Sequence, residues 1–117
     1  MSIEIVSFEP LPTAEFSEPA PDRLLAGRPR QEIRNVYADP ERRFFVGHWR
    51  ATPGKWRVAY TEHEFCHLLA GRVRIVSTDG MMREFGPGES FVVPAGFKGT
   101  WEVIETATKL YAIYESA

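Results

Sequence analysis

Residues 60 to 67, Tyr-Thr-Glu-His-Glu-Phe-Cys-His, crowd a phenol, two carboxylates, two imidazoles and a thiol into one short stretch. His63-Glu-Phe-Cys-His67 has the spacing H-E-x-x-H. On a helix, positions i and i+4 share a face, so two such histidines hold one zinc ion and the Glu serves as base for peptide hydrolysis. On a strand the faces alternate: His63, Phe65 and His67 go to one side, and Glu64, Cys66 and Leu68 to the other. The histidines then stand about 13 Å apart, at roughly 3.3 Å per residue, too far to share an ion. The flanks favour the strand, because Val58-Ala-Tyr60 precedes the motif and Gly71-Arg-Val-Arg-Ile-Val76 follows it. Helix-borne zinc peptidase chemistry is the alternative these flanks argue against.

As a strand, the segment gives a different constellation. Tyr60 and Glu64 bracket a three-residue turn, Thr61-Glu-His63, and are expected to face each other across it. A Glu on an apolar face is costly unless paired. Its expected partners are Tyr60, Lys98 or Lys55, which would hold it ionised. Glu64 is thus the candidate general base, with Tyr60 as hydrogen-bond donor or acid and Lys98 as charge partner. Cys66, Trp101, Lys98, His48 and Trp56 are the candidate ligand-binding residues around them. Each also has a plainer reading: Cys66 as a small buried hydrophobe, His48 and His67 as structural or interface histidines, the tryptophans as packing. The basic pairs Arg42-Arg43 and Arg72-x-Arg74 read as a solvated face.

These groups must be positioned by strands. From residue 33 onward the apolar period is two, in Phe44–Trp49, Arg72–Val76, Ser90–Val93, Gly99–Ile104 and Thr108–Tyr114. Turn signals separate the runs: Thr52-Pro-Gly54, Asp79-Gly80, Gly86-Pro-Gly88 and Pro94-Ala-Gly96. Asp79-Gly80 between alternating runs predicts a hairpin. Many short strands with almost no helix predict an all-β sandwich or closed barrel. Residues 9–31 differ, being punctuated by Pro10, Pro12, Pro19, Pro21 and Pro29, which forbid a long helix or a central strand. The expectation is a proline-rich arm over residues 1–42 packed on a barrel of residues 43–117, with one helical turn at Asp22–Gly27.

Gly88-ESFVV-Pro94-Ala-Gly96 matches the first half of the second cupin motif, G-x5-P-x-G-x2-H-x3-N. Glu64-FCHLLA-Gly71 matches the tail of the first motif, G-x5-H-x-H-x3-E-x6-G, and Gly54 matches its head. Over roughly residues 43–114 the chain therefore resembles the cupins. More narrowly, TPGKWRVAYTEHEFCHLLAGRVRI with FGPGESFVVPAGFKGTWEV resembles the small cupins named for the (S)-ureidoglycine aminohydrolase cupin domain, which include relatives of an ethanolamine-utilisation cupin. The resemblance implies an RmlC-like double-stranded β-helix, a jelly-roll barrel. It also implies a metal held by three histidines and a glutamate. Counting back from Gly71 puts the glutamate on Glu64 and the first-motif histidines on Val58 and Tyr60. Counting forward from Gly54 puts those histidines on Tyr60 and Glu62, with Cys66 on the glutamate. The second-motif histidine falls on Gly99 and the asparagine on Val103. No histidine stands at any of these positions. The aminohydrolase pattern E-x-H-x3-H finds His63 and His67 but Thr61 in place of its glutamate. A metal is left open as the cofactor; if one is bound, Glu64, Tyr60, Glu62 and His63 are its candidate donors.

The totals bound what remains. The chain has 117 residues, net charge −2, 44% hydrophobic and 13% aromatic residues, and one cysteine. This suits one domain with one core, no disulfide and no general attraction for nucleic acid. The opening MSIEIVSFEPLP does not read as a signal peptide, and no apolar run nears the roughly 18 residues of a membrane span. The expectation is a cytoplasmic homodimer that binds a small molecule. It either acts on an amino, ureido or sugar-like metabolite with Glu64 as base, or is a non-catalytic binding module with a degenerate metal site.

Overall fold

The computed structural model describes residues 2–116, and among them every regular element is a β-strand. The strands are β1 (Glu15–Ser17), β2 (Leu24–Gly27), β3 (Gln31–Ala38), β4 (Phe44–Ala51), β5 (Gly54–Ala59), β6 (His63–Ser77), β7 (Met82–Phe85), β8 (Ser90–Val93) and β9 (Lys98–Tyr114). All pairings are antiparallel. The period-two patterning left an all-β sandwich or a closed barrel open; the fold is the all-β barrel that the cupin resemblance implies. Among the described residues no helix is long and apolar enough to cross a membrane.

Two long strands organise the barrel. β6 and β9 run side by side from His63↔Tyr114 to Ser77↔Gly99. The other edge of β9 carries β4 along residues 107–114 and β5 along residues 98–103. The other edge of β6 carries β8 and β7 in the same divided manner. Each long strand thus belongs to both halves of the barrel, and both must bend where the halves meet. The bend falls at Gly71, with φ +85 and register slips on either side of it. A side chain at Gly71 would run into the backbone of Thr106 and Ala107, so only glycine lets β6 fold over β9 there.

The strand period fixes which side chains face inward. Trp101, Val103, Ala107, Lys109 and Tyr111 of β9 are buried in alternation, as are Glu64, Cys66 and Leu68 of β6. Trp49, Trp56, Val73, Ile75, Phe85 and Val93 complete the core.

Residues 1–42, expected as an arm, contribute β1, β2 and β3, and β3 pairs with β4 from Gln31↔Ala51 to Ala38↔Phe45. The helical turn expected at Asp22–Gly27 is not formed. A turn at Pro21–Arg23 leads into β2, which pairs with β5 at Leu24↔Trp56 and Gly27↔Gly54. Leu-Leu-Ala shows no alternation to mark a strand; pairing with the neighbouring edge overrides the helical preference of the segment. The Arg34 guanidinium donates to the Pro12 carbonyl at 2.7 Å and ties the proline-rich segment to the mouth of the barrel.

Candidate functional site

The inward faces of β3, β4, β5, β6 and β9 line a half-open chamber of about 690 Å³, within the range of small-molecule sites. Its walls are largely aromatic, from Phe45, Trp49, Trp56, Trp101 and Tyr111, and Pro12, Thr13 and Glu15 stand at its rim. Trp49 meets Trp101 edge-on, with centroids 5.7 Å apart.

A buried charged pair is set into this apolar wall. The ladder places Lys109 opposite Trp49 on one side and Leu68 on the other. Its ammonium reaches Glu64 Oε2 at 2.9 Å and lies 4.5 Å and 4.3 Å from the ring centroids of Trp49 and Trp101. The indole faces stabilise the cation where water does not. The other carboxylate oxygen, Oε1, accepts the Tyr60 hydroxyl at 2.8 Å. Burial draws the Lys109 ammonium down, but the Glu64 carboxylate beside it outweighs burial and leaves it above its ordinary value. Burial, then the Glu64 charge, pushes the Tyr60 hydroxyl up, so it stays a donor at neutral pH. Cys66 lies fully buried next to the pair, and burial pushes its thiol up to about 12; it is neutral and poorly nucleophilic.

Two further contacts stiffen the walls. Trp49 Nε1–H donates to Gln31 Oε1 at 2.9 Å, and the Tyr111 hydroxyl donates to Asn35 Oδ1 at 2.7 Å. The Trp101 indole N–H is different. Its nitrogen is buried beside Tyr60, and no acceptor meets it with hydrogen-bond geometry.

Of the residues singled out from sequence, the structure brings Glu64 and Tyr60 together and sets Trp56 and Trp101 in the chamber wall. Cys66 shares their face but lies behind the wall. His48 is half-buried on the opposite side of β4 from Trp49, and Lys98 is exposed at the start of β9. Lys55 also alternates away from the inward-facing Trp56. Glu62 and His63 do not reach the chamber; His63 stacks on Tyr114 and accepts the Ala95 N–H at 3.1 Å. His67 Nδ1 is hydrogen-bonded to Ser90 Oγ at 2.7 Å. The H-E-x-x-H residues lie on a strand, so the helix that zinc peptidase chemistry needs is not there.

Lys109 is the member of this cluster that the sequence reading does not single out. The signal was present: Trp101, Val103, Ala107, Tyr111 and Ile113 share a parity, and Lys109 falls on it. Arg42, read from sequence as solvated, lines the mouth of the chamber.

The donor set does not fit the metal that the cupin resemblance implies. Both Glu64 oxygens are engaged, one by a cation that would repel a metal ion. Among the described residues no three His, Cys, Asp or Glu side chains converge. At Gly99, where the second-motif histidine would stand, a side chain would run into the Val76 carbonyl.

The comparisons with known proteins agree with this architecture. The model of the EutQ-like cupin domain matches residues 38–111. A Pseudomonas syringae protein of unknown function superposes with a TM-score of 0.80 at 24% identity, over 92% of this chain and 46% of that one. The Clostridium difficile EutQ protein does so with a TM-score of 0.66 at 19% identity, over 75% and 64%. A Rhizobium leguminosarum protein of unknown function gives 0.64 at 23% identity, over 74% and 82%. The chain therefore spans about half the length of the first of these and 64% of the second. No curated protein matches it. At these identities the likeness carries the fold alone.

Proposed function

The chain belongs to the EutQ-like cupin domains, and from that premise we propose that it binds a small metabolite in the aromatic chamber, on a polar floor made by Tyr60, Glu64 and Lys109. The observation that carries this reading is the buried Glu64–Lys109 pair in the chamber wall. Desolvating two charges costs several kcal/mol per ion, and hydrophobic residues of similar volume often serve stability as well or better. A pair kept at the lining of a cavity is better explained by what enters the cavity. Binding is favoured over general-base catalysis, because each Glu64 oxygen already holds a partner and a base would first have to release one. The degenerate metal site is part of the same reading, with the Lys109 ammonium supplying fixed positive charge inside the barrel. The single buried Cys66 suits a reducing cytoplasm. The exposed apolar face of the barrel suits a homodimer.

A thermal-shift screen against small amino, ureido, carboxylate and sugar compounds tests the binding. A ligand present at about 100 times its Kd adds about 2.7 kcal/mol, which should appear as a rise of several degrees in Tm, and tryptophan emission should change with it. Both effects should be lost in Ile113→Trp, which fills the chamber. A panel at millimolar concentration that moves neither Tm nor emission would overturn the reading.

A further inference from the structure

We infer that the chamber recognises a small carboxylate that carries a flat, largely apolar body. This rests on the proposed binding function and names the class of ligand. Four charged residues line the chamber: Glu15, Arg42, Glu64 and Lys109. Glu64 and Lys109 neutralise each other within the wall. Among the described residues neither Arg42 nor Glu15 forms an ion pair, and Glu15 is exposed on β1 at the rim.

Arg42 is placed at the mouth by its own turn. The Asp39 carboxylate accepts the backbone N–H groups of Arg43 and Phe44 at 2.7 and 2.8 Å, and the Arg42 N–H donates to the Asp39 carbonyl at 2.9 Å. Arg42 has φ +56, and its guanidinium lies 5.5 Å from the Phe45 ring centroid. Phe45 itself lines the chamber, so the guanidinium is laid along the wall. An unpaired guanidinium there offers a planar fork of donors suited to a carboxylate.

The walls inward of Arg42 are mainly indole, phenol and aliphatic carbon, with the Gln31 and Asn35 amides among them, and they favour a flat, largely apolar body. Trp101 is 2% exposed, and its N–H is sealed within the wall, out of reach of a ligand in the chamber. One unmatched cation at the mouth of an aromatic passage therefore selects for an anion at the ligand's outer end.

Calorimetric titration with two matched probes tests this: 4-acetylbenzoate and 4-acetylbenzamide. The acid should bind at least about tenfold more tightly than the amide, the scale of one charge-assisted hydrogen bond. That preference should vanish in Arg42→Gln, an exposed change that leaves the core alone. Equal binding of acid and amide, or a preference that survives Arg42→Gln, overturns the inference. If these probes fail while amino, ureido or sugar compounds bind and perturb tryptophan emission, the inference falls and the binding function stands. If nothing binds, both fall.

Discussion

The residue that most changes the reading of this barrel is Lys109. Glu64 and Tyr60 were legible in the sequence because a short turn separates them, and local alternation settles which way each points. Lys109 is distant along the chain, and its meeting with Glu64 depends on the ladder between β6 and β9, which the sequence does not spell out. Its parity with Trp101 and Tyr111 was the readable clue; the register was not. Because the pair is buried, removing one partner strands a charge. Lys109→Met should cost about 3–5 kcal/mol of stability. Glu64→Leu should cost a similar amount, since the ammonium would be left with indole faces alone. The double variant should lose far less than the sum of the two, because no charge remains to be stranded. Urea denaturation of the four proteins of this cycle measures the coupling; additive losses would show that the two groups do not depend on each other.

At the scale of the elements, the strands with period-two patterning were legible and β2 was not. A run such as Arg72-Val-Arg-Ile-Val76 carries its burial in its sequence, because one face is wet and the other packed. Leu24-Leu-Ala-Gly27 is mostly exposed, so no such contrast is written into it. A subtler feature is Gly47. It sits on the inward parity of β4 between Phe45 and Trp49, where a bulky residue is the usual choice. A Cβ there would stand 2.5 Å from both the Tyr111 hydroxyl and the Arg34 carbonyl oxygen. The missing side chain is what lets Tyr111 reach Asn35 and form the chamber wall. Gly47→Ala should therefore cost about 2–4 kcal/mol, the sum of overpacking and one broken hydrogen bond. Its near-ultraviolet circular dichroism should change as Tyr111 moves. Stability within about 0.5 kcal/mol of the parent, the range of a neutral surface change, would mean that the strand accommodates the methyl group.

At the scale of the whole molecule, the outward face of the barrel poses the remaining problem. The ladders align Val92, Phe65, Ala112, Val46 and Tyr37 in one row across β8, β6, β9, β4 and β3. Phe65 is 45% exposed and Val92 58%. The adjoining row adds Tyr114 and Phe44, which are also exposed. Monomers rarely leave a contiguous apolar surface of this kind uncovered, and a two-fold dimer would cover it by laying the same row against itself. Ile3 and Ile5 offer a second apolar surface, 92% and 98% exposed, but they lie off this row and on a terminal segment. Size-exclusion chromatography with light scattering should return twice 13.3 kDa for the native chain. Phe65→Glu places a charge within the row, beside its centre at Ala112, and should return the monomer mass, with the chamber still able to bind its ligand. Val92→Glu, nearer the end of the row, should weaken the dimer less. Exchanging Ile3 and Ile5 for serine should leave it intact. A native mass of 13.3 kDa removes the dimer. A dimer that tolerates Phe65→Glu but dissociates on loss of Ile3 and Ile5 moves the interface from the sheet to the amino-terminal segment.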